Sequence, residues 1–243
     1  MEEAVRRIRR WKKRKNPRLW LNLSGLNLSY LPSLPSKLRK LNCGSNILVC
    51  FPKLPTGLRV LYCYGNKLIN LDNLPKKLKI INCCCNYELT SIDNIPNSVE
   101  SIIADECWKI NEINDLPTYL KRISLDSMNN LYKISYFPQN LELIYITDAL
   151  METLPTLPNT LKVLECIHTN LISLPNLPDS LLYLSIFGCN VKTLPPLPHK
   201  LLVLDIELNM KIDNCIELPK SILKYSCNYL DLSFDKTCGE FII

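Results

Sequence analysis

Leucine, in places replaced by isoleucine or valine, recurs along the chain in one register with a period of 20 or 21 residues. One unit begins at Leu38 and reads Leu-Arg-Lys-Leu-Asn-Cys-Gly-Ser-Asn-Ile-Leu, and the next begins at Leu58 with the same spacing. Further units begin at Leu78, Val99, Leu120, Leu141, Leu161, Leu181, Leu201 and Ile222, and a first unit begins near Arg18. The pattern therefore predicts about eleven structural units over residues 18–235.

Within each unit, numbered from one at its first leucine, apolar and mixed positions alternate over a short segment. Positions four and six are apolar, whereas positions three, five, seven and eight accept polar residues. A strand turns successive side chains to opposite faces, so this segment reads as one short strand per unit. The sequence predicts a leucine-rich-repeat solenoid with a parallel β-sheet on its concave face, and positions three, five, seven and eight would face solvent.

The second half of each unit carries a repeated Leu-Pro-x-Leu-Pro motif, as at Leu154–Pro158. Proline fixes φ near −65° and drives the preceding residue out of the helical region. A unit of this length also leaves no room for a helix beside the strand. We therefore expect an extended, polyproline-like convex side and an array that curves gently.

Asparagine occupies position nine at Asn46, Asn66, Asn86 and Asn209. Its amide can turn inward and bond the backbone of its own and the adjacent unit. The fifth to ninth units replace it by Cys107, Met128, Ala149, Thr169 and Cys189. We therefore expect this ladder of asparagine hydrogen bonds to be weaker in the middle of the array.

Cysteine recurs at position six in five units, at Cys43, Cys63, Cys83, Cys166 and Cys227. This placement predicts small buried side chains in the core. The alternative, a metal site at Cys83–Cys85, lacks a second cysteine pair or a nearby histidine, so we expect no metal and no cofactor. Cys84 and Cys85 would then be exposed, reactive thiols.

The basic charge is concentrated at the N-terminus. Residues 1–18 contain nine basic and two acidic side chains, whereas the rest of the chain contains 20 basic and 21 acidic ones. Ala4, Val5, Ile8 and Trp11 lie at helical spacing, which predicts an amphipathic helix over residues 2–14 within an N-terminal segment, 1–17, that caps the first unit.

The exposed side of this helix would form a basic arm of Arg6, Arg7, Arg9, Arg10, Lys12, Lys13, Arg14 and Lys15. Besides capping, such a cluster is typical of a targeting signal or of a patch for nucleic acid or anionic membrane. The near-neutral solenoid argues against an extended nucleic-acid track. Residues 236–243 read as a C-terminal tail.

Two groups of residues on the predicted concave face are candidates for binding a partner. The aromatic ones are Tyr62, Tyr64, Tyr145 and Phe187, and the acidic ones are Asp105, Asp126, Glu165, Asp205 and Glu207. Tyrosine is enriched at binding hot spots, so the face suits a protein partner with a basic, partly apolar surface. The alternative is that these residues only solvate the sheet.

The residues do not indicate an enzyme. The two histidines, His168 and His199, have no nucleophile that the repeat geometry would place beside them. The chain begins without an apolar signal peptide and contains no membrane-length apolar run. Together with the cysteine usage, this predicts an intracellular protein, in the cytoplasm or the nucleus.

The opening segment Leu21–Pro32 and the Leu-Pro-x-Leu-Pro returns resemble the short, bacterial-type leucine-rich repeats of YopM- and IpaH-like effectors, and of related proteins from large DNA viruses. The resemblance covers roughly residues 18–235 and implies protein binding inside a host or infected cell. Some members also carry a C-terminal ubiquitin-ligase domain with a cysteine nucleophile. Here the repeats extend almost to residue 243, so Cys238 is not expected to have such a domain around it.

The sequence thus favours a non-enzymatic scaffold that binds a protein partner on its concave sheet. The alternative is a tether to nucleic acid or an anionic surface through the basic arm, and ubiquitin transfer is the third and least favoured possibility.

Overall fold

The computed structural model describes residues 1–209 and 217–227. The predicted C-terminal tail, 236–243, lies outside these residues, as does the end of the predicted array beyond residue 227. The described chain contains one helix, α1 (Glu2–Lys13), followed by strands alone. The strands are β1 (Trp20–Asn22), β2 (Lys40–Asn42), β3 (Val60–Tyr62), β4 (Ile80–Asn82), β5 (Ser101–Ile103), β6 (Glu112–Ile113), β7 (Arg122–Leu125), β8 (Lys133–Ile134), β9 (Leu143–Thr147), β10 (Val163–Ile167), β11 (Tyr183–Ser185), β12 (Val203–Ile206) and β13 (Lys224–Cys227).

One parallel sheet of 11 strands runs through the molecule in the order β1-β2-β3-β4-β5-β7-β9-β10-β11-β12-β13. Equivalent positions of successive units pair directly, as Leu21 does with Leu41 and Leu41 does with Leu61. The predicted leucine-rich-repeat solenoid is therefore confirmed, because only a coil with one strand per unit keeps this register.

The core is the continuous interior of this coil. Leucine, isoleucine or valine at positions one and four is fully buried in unit after unit, for example at Leu58, Leu61 and Val99. Cys43, Cys63, Cys83 and Cys166 at position six are also fully buried, as predicted; the side chain of Cys227 lies outside the described residues. Each unit thus buries its apolar side chains against its neighbours.

The asparagine side chains at position nine link each unit to the one before it. The amide nitrogen of Asn66 donates to the carbonyl oxygens of Cys63 and Cys43 at 2.9 and 3.1 Å, and its oxygen accepts from the Leu48 N–H at 3.0 Å. Asn46 and Asn86 repeat this pattern. Where cysteine replaces asparagine, the thiols of Cys107 and Cys189 approach the equivalent carbonyl oxygens at 3.4 and 3.2 Å, and a thiol is the weaker donor.

Position eight differs from its predicted role as an outward strand position. In ten units the residue there has a positive φ, and the strands have ended before it: Gly25, Ser45, Gly65, Cys85, Glu106, Ser127, Asp148, His168, Gly188 and Leu208. The left-handed conformation turns the chain so that the next residue, at position nine, points inward. Position eight is therefore a turn, and sequence alternation alone could not distinguish it from a strand.

We expect the Gly188→Ala substitution to lower the free energy of unfolding by about 1–2 kcal/mol, because a side chain in the left-handed region costs about that much. Gly188 has φ +66°, and an added Cβ would also collide with the His168 ring. Urea unfolding measures the effect. Gly57→Ala is the matched control, since its nearest neighbour would be 3.8 Å away and its φ is not positive; an equal loss in both variants would contradict the turn geometry.

The return half is largely extended, as predicted, with one departure. The short strands β6 and β8 pair in parallel on that side, and the Ser135 N–H donates to the Ile113 carbonyl oxygen at 2.9 Å. Asn114 and Ser135 follow Ile113 and Ile134 at the place where several other units have the first proline, as at Pro175, and where two further units have Asp72 and Asp93. Since proline has no N–H, it could not donate the bond that Ser135 makes, so the absence of proline permits this second sheet. It is not sufficient, because no strand forms beside Asp72 or Asp93.

The N-terminal helix closes the open end of the first unit. Ala4, Ile8 and Trp11 are buried, and Val5 is half-buried. The Trp11 indole N–H donates to the Leu19 carbonyl oxygen at 3.0 Å. The helix ends at Lys13, one residue earlier than the sequence predicts, and it covers apolar side chains that would otherwise meet water. The described residues include no helix that is long and apolar enough to span a bilayer.

Candidate functional site

The solvent side of the 11-stranded sheet, formed by positions three, five and seven, is called the sheet face below. Each candidate binding residue lies on it and is half-buried: Tyr62, Tyr64, Asp105, Asp126, Tyr145, Glu165, Phe187, Asp205 and Glu207. Five of them, at position seven, follow the last strand residue by one or two places: Tyr64, Asp105, Asp126, Phe187 and Glu207. The sheet holds these side chains on a fixed backbone, at a spacing of about 4.8 Å from one unit to the next.

The N-terminal end of the sheet face carries an aromatic patch made of Trp20, Tyr62 and Tyr64. The Trp20 and Tyr62 ring centroids are 4.7 Å apart at an interplanar angle of 47°. The ammonium of Lys40 lies 5.9 Å from the Trp20 centroid, within cation–π range. Trp20 was missed as a candidate, although its place at position three of the first unit puts it on the predicted outward face.

Tyr64 owes its position to a glycine in the preceding unit. A Cβ added to Gly44 would lie 2.6 Å from the Tyr64 Cζ, so the ring lies flat over the Gly44 backbone. Because the ring is braced in this way, little side-chain entropy remains for it to lose when a partner binds.

In the middle of the sheet face, hydrogen bonds hold the two aspartates in place. The Ser124 hydroxyl donates to the Asp105 carboxylate at 2.7 Å, and the Asp126 N–H donates to the same oxygen at 3.0 Å. The Thr147 hydroxyl donates to the Asp126 carboxylate and accepts from the Ser127 N–H at 2.9 Å. Asp105 and Asp126 therefore stabilise the stacked turns as well as adding negative charge.

Tyr145 lies between these aspartates and the next carboxylate along the sheet. Burial raises the pKa of its phenol, and the charges of Asp126 and Glu165 raise it further. The phenol therefore stays protonated at neutral pH and can donate a hydrogen bond to a partner.

The C-terminal part of the sheet face combines carboxylates with apolar side chains. Burial raises the pKa of Glu165; a hydrogen bond with Tyr183 lowers it and the charge of Asp205 raises it. Glu165 and Asp205 are both in register with Ser185, which lies between them and is only 1% exposed. Position three in these four units is apolar or aromatic and half-buried, at Leu143, Val163, Tyr183 and Val203.

His168 belongs to the turn edge of this surface. Its ring packs edge-on against Phe187 at a centroid distance of 5.4 Å, and its Nδ1 lies 3.7 Å from an Asp148 carboxylate oxygen. The contact with Asp148 is an ion pair only when the imidazole is protonated, whereas the packing on Phe187 does not depend on charge.

Burial favours the protonated thiol at several cysteines. Burial raises the pKa of Cys43 to about 12 and raises those of Cys63 and Cys166 well above the usual value. Cys84 and Cys85 are half-buried, and burial followed by the charges of neighbouring carboxylates raises their pKa values. The expectation that these two are exposed, reactive thiols is therefore wrong. Within residues 1–209 and 217–227, no group of three or more His, Cys, Asp or Glu is arranged to hold a metal ion.

The basic arm divides into two groups. Arg6 and Arg7 both pair with Glu3 within the helix, and Arg7 also donates to the Asn22 carbonyl oxygen at 3.3 Å, which ties the helix to the first unit. The other six are exposed: Arg9, Arg10, Lys12, Lys13, Arg14 and Lys15.

Comparisons with known proteins place this fold among bacterial effectors. YopM from Yersinia enterocolitica WA-314 matches with a TM-score of 0.80 and 30% identity over 93% of this chain and 50% of its own. A Shigella effector leucine-rich-repeat domain matches with a TM-score of 0.58 and 29% identity over 70% of this chain and 77% of its own. The chain therefore spans about half the length of the YopM structure.

A more distant match shows the fold alone. The functional domain of InlJ from Listeria monocytogenes, described as including a cysteine ladder, matches with a TM-score of 0.51 and 20% identity over 82% of this chain and 51% of its own. Neither the protein-family models nor the curated protein sequences give a match. The similarities support a scaffold fold and give no support to the nucleic-acid or membrane tether.

Proposed function

Since this chain is a leucine-rich-repeat protein similar to YopM and a Shigella effector domain over most of its length, we propose that it is a non-enzymatic scaffold that binds a protein partner on the sheet face. Repeats stacked in this way form a rigid, extended surface rather than a closed pocket, and such surfaces bind macromolecules.

The observation that carries the proposal is the aromatic patch. Trp20, Tyr62 and Tyr64 present partly exposed rings on a fixed sheet, and Trp20 is 40% exposed. A face that only needed solvation would be served by polar side chains, whereas tryptophan and tyrosine are the residue types enriched at binding hot spots. The rings are already ordered by contacts with one another and with Gly44, which favours binding.

We also propose the properties of the partner and the compartment. Carboxylates predominate on the sheet face from Asp105 onwards, so a partner with a basic, partly apolar surface would complement it. The nine cysteines between Cys43 and Cys189 carry free thiols, and free thiols persist in a reducing compartment. This supports a location inside a host or infected cell.

The triple substitution of Tyr62, Tyr64 and Tyr145 by alanine tests the proposal. We expect it to reduce capture of a specific partner from native cell extract at least about tenfold, because each hot-spot tyrosine contributes about 1–2 kcal/mol or more to binding. Quantitative mass spectrometry of the captured proteins is the measurement.

The matched control removes three tyrosines from outside the sheet face. Tyr30, Tyr119 and Tyr132 are 62%, 60% and 51% exposed and lie in the return halves of their units. Their replacement by alanine should leave capture unchanged. If the sheet-face variant captures as much as the wild-type protein while remaining folded by circular dichroism, the sheet face is not the binding surface.

A further inference from the structure

The four units that begin at Leu141, Leu161, Leu181 and Leu201 form a distinct part of the sheet face, called the C-terminal patch. Its positions three, five and seven contain three carboxylates and no lysine or arginine. The carboxylates are Glu165, Asp205 and Glu207, and the apolar or aromatic members are Leu143, Tyr145, Val163, Ile167, Tyr183, Phe187 and Val203. The three carboxylates therefore lie among apolar side chains, and no basic residue at positions three, five or seven of these four units balances their charge.

Lysines lie at the border of the patch. Lys224, at position three of the next unit, is exposed and in register with Val203. Lys162, at position two beside the patch, lies 2.9 Å from the Glu142 carboxylate outside it. Glu165, by contrast, is partly desolvated, and its hydrogen-bond partner is the neutral phenol of Tyr183. Among the described residues, Glu142 at the border of the patch forms an ion pair with a lysine, whereas Glu165 inside the patch forms none.

The buried Ser185 is surrounded by carboxylates and aromatic rings. Glu165 and Asp205 flank Ser185 on the two adjacent strands, so their Cα atoms lie about 10 Å apart at the usual strand spacing. Tyr183 and Phe187 flank the same serine along its own strand direction. Two carboxylates and two aromatic rings therefore surround one small side chain.

A protein that covers this patch must bring its own positive charge. Covering it would complete the desolvation of Glu165 and Asp205, and a buried charge without a partner is strongly unfavourable. Arginine suits the arrangement better than lysine, since its planar guanidinium bonds two carboxylates at once and stacks on aromatic faces.

We propose that the C-terminal patch binds an arginine-bearing segment of the partner protein, with the guanidinium bridging the carboxylates of Glu165 and Asp205 and the flanking apolar side chains on Val163, Tyr183 and Phe187. This assignment rests on the proposed function, because it requires that the sheet face binds protein, and it adds the identity of the anchoring side chain.

Selection of peptides from a random display library on the full chain tests the assignment. We expect the selected peptides to share an arginine flanked by apolar residues. We also expect a synthetic copy of one such peptide to bind Glu165→Gln about 10- to 100-fold more weakly than the wild-type protein, because the substitution keeps the shape of the side chain and removes its charge. Isothermal titration calorimetry measures both affinities.

The control is Glu142→Gln, which removes a carboxylate at the border of the patch and should leave the peptide affinity unchanged. Peptides that lose affinity for Phe187→Ala but bind Glu165→Gln normally would overturn the arginine anchor and leave sheet-face binding intact. Peptides indifferent to both substitutions, or no selected peptide, would count against both ideas. Self-association of the chain that Glu165→Gln abolishes, seen by sedimentation, would make a second copy the occupant and overturn the assignment to a partner protein.

Discussion

Replacing Asn86 by alanine is expected to lower the free energy of unfolding by about 3–5 kcal/mol, an exceptionally large loss for one polar side chain. Asn86 is fully buried. Its amide nitrogen donates to the carbonyl oxygens of Cys83 and Cys63 at 2.7 and 3.2 Å. Its amide oxygen accepts from the Leu68 N–H at 3.1 Å. One side chain thus joins two successive units through three hydrogen bonds.

The size of the effect follows from what the substitution leaves behind. Alanine would leave the buried Leu68 N–H without its acceptor, and an unsatisfied buried group costs about 1–3 kcal/mol. The carbonyl oxygens of Cys63 and Cys83 would each lose one donor and keep another, from Asn66 and Cys107. The carbonyl oxygens lose less than the N–H, because each has two lone pairs. The cavity left by the amide adds to the loss.

Equilibrium urea unfolding followed by circular dichroism measures this difference, with Asn70→Ala as the control. Asn70 is exposed, and its side chain accepts only a long bond of 3.3 Å from the Asp72 N–H, so its loss should change stability by less than about 0.5 kcal/mol. Equal losses at the two positions would show that the asparagine ladder contributes no more than a surface turn.

The fold could be predicted from the sequence because the most regular pattern, the leucine repeat, consists of the same residues that form the hydrophobic core. Leucine at positions one and four is both the visible period and the buried core, so strand register follows directly from the spacing, as for Leu41 beside Leu61. The N-terminal capping helix was equally predictable, because Ala4, Ile8 and Trp11 lie on one face of a helix.

Contacts between residues of two different units could not be predicted from the sequence. The bond from Ser124 to Asp105 joins side chains 19 residues apart, and a one-unit pattern gives no hint that they meet. The pair β6 and β8 likewise depends on two neighbouring units, and the missing proline does not by itself predict it, because Asp72 and Asp93 also replace that proline without a strand. The turn at position eight was hidden for another reason: its residue type ranges from glycine to histidine and leucine, so composition does not reveal the positive φ.

The candidate site shows the same division. The repeat register sufficed to place Tyr62, Tyr145 and Glu165 on one solvent-facing surface. It could not show which carboxylates are engaged internally, because that depends on hydroxyl neighbours such as Thr147. Only the contacts distinguish Asp126, which is held by hydrogen bonds within the sheet face, from Glu165, which lies among apolar side chains.

Trp11→Ala should lower the free energy of unfolding by about 3–5 kcal/mol, the usual range for removing a buried tryptophan. Trp11 is 9% exposed, and its indole N–H bonds to the Leu19 carbonyl oxygen. Its loss would also expose the apolar side chains of the first unit, where Leu21 and Leu23 are buried. Since end units of a solenoid must be covered, we expect unfolding to begin there and the amides of β1 to lose hydrogen-exchange protection first.

Lys12→Ala, on the exposed side of the same helix, is the matched control and should change stability by less than about 0.5 kcal/mol.

The capping role of the helix determines which variant can test the basic arm. Because the helix caps the array, deleting residues 1–17 would destabilise the solenoid and remove the charge together, so lost binding could not be ascribed to either. Replacing Arg9, Arg10 and Lys13 by glutamine keeps Trp11 in place and changes charge alone. A scaffold that binds through its sheet face should keep its partner in that variant, whereas a tether would release it.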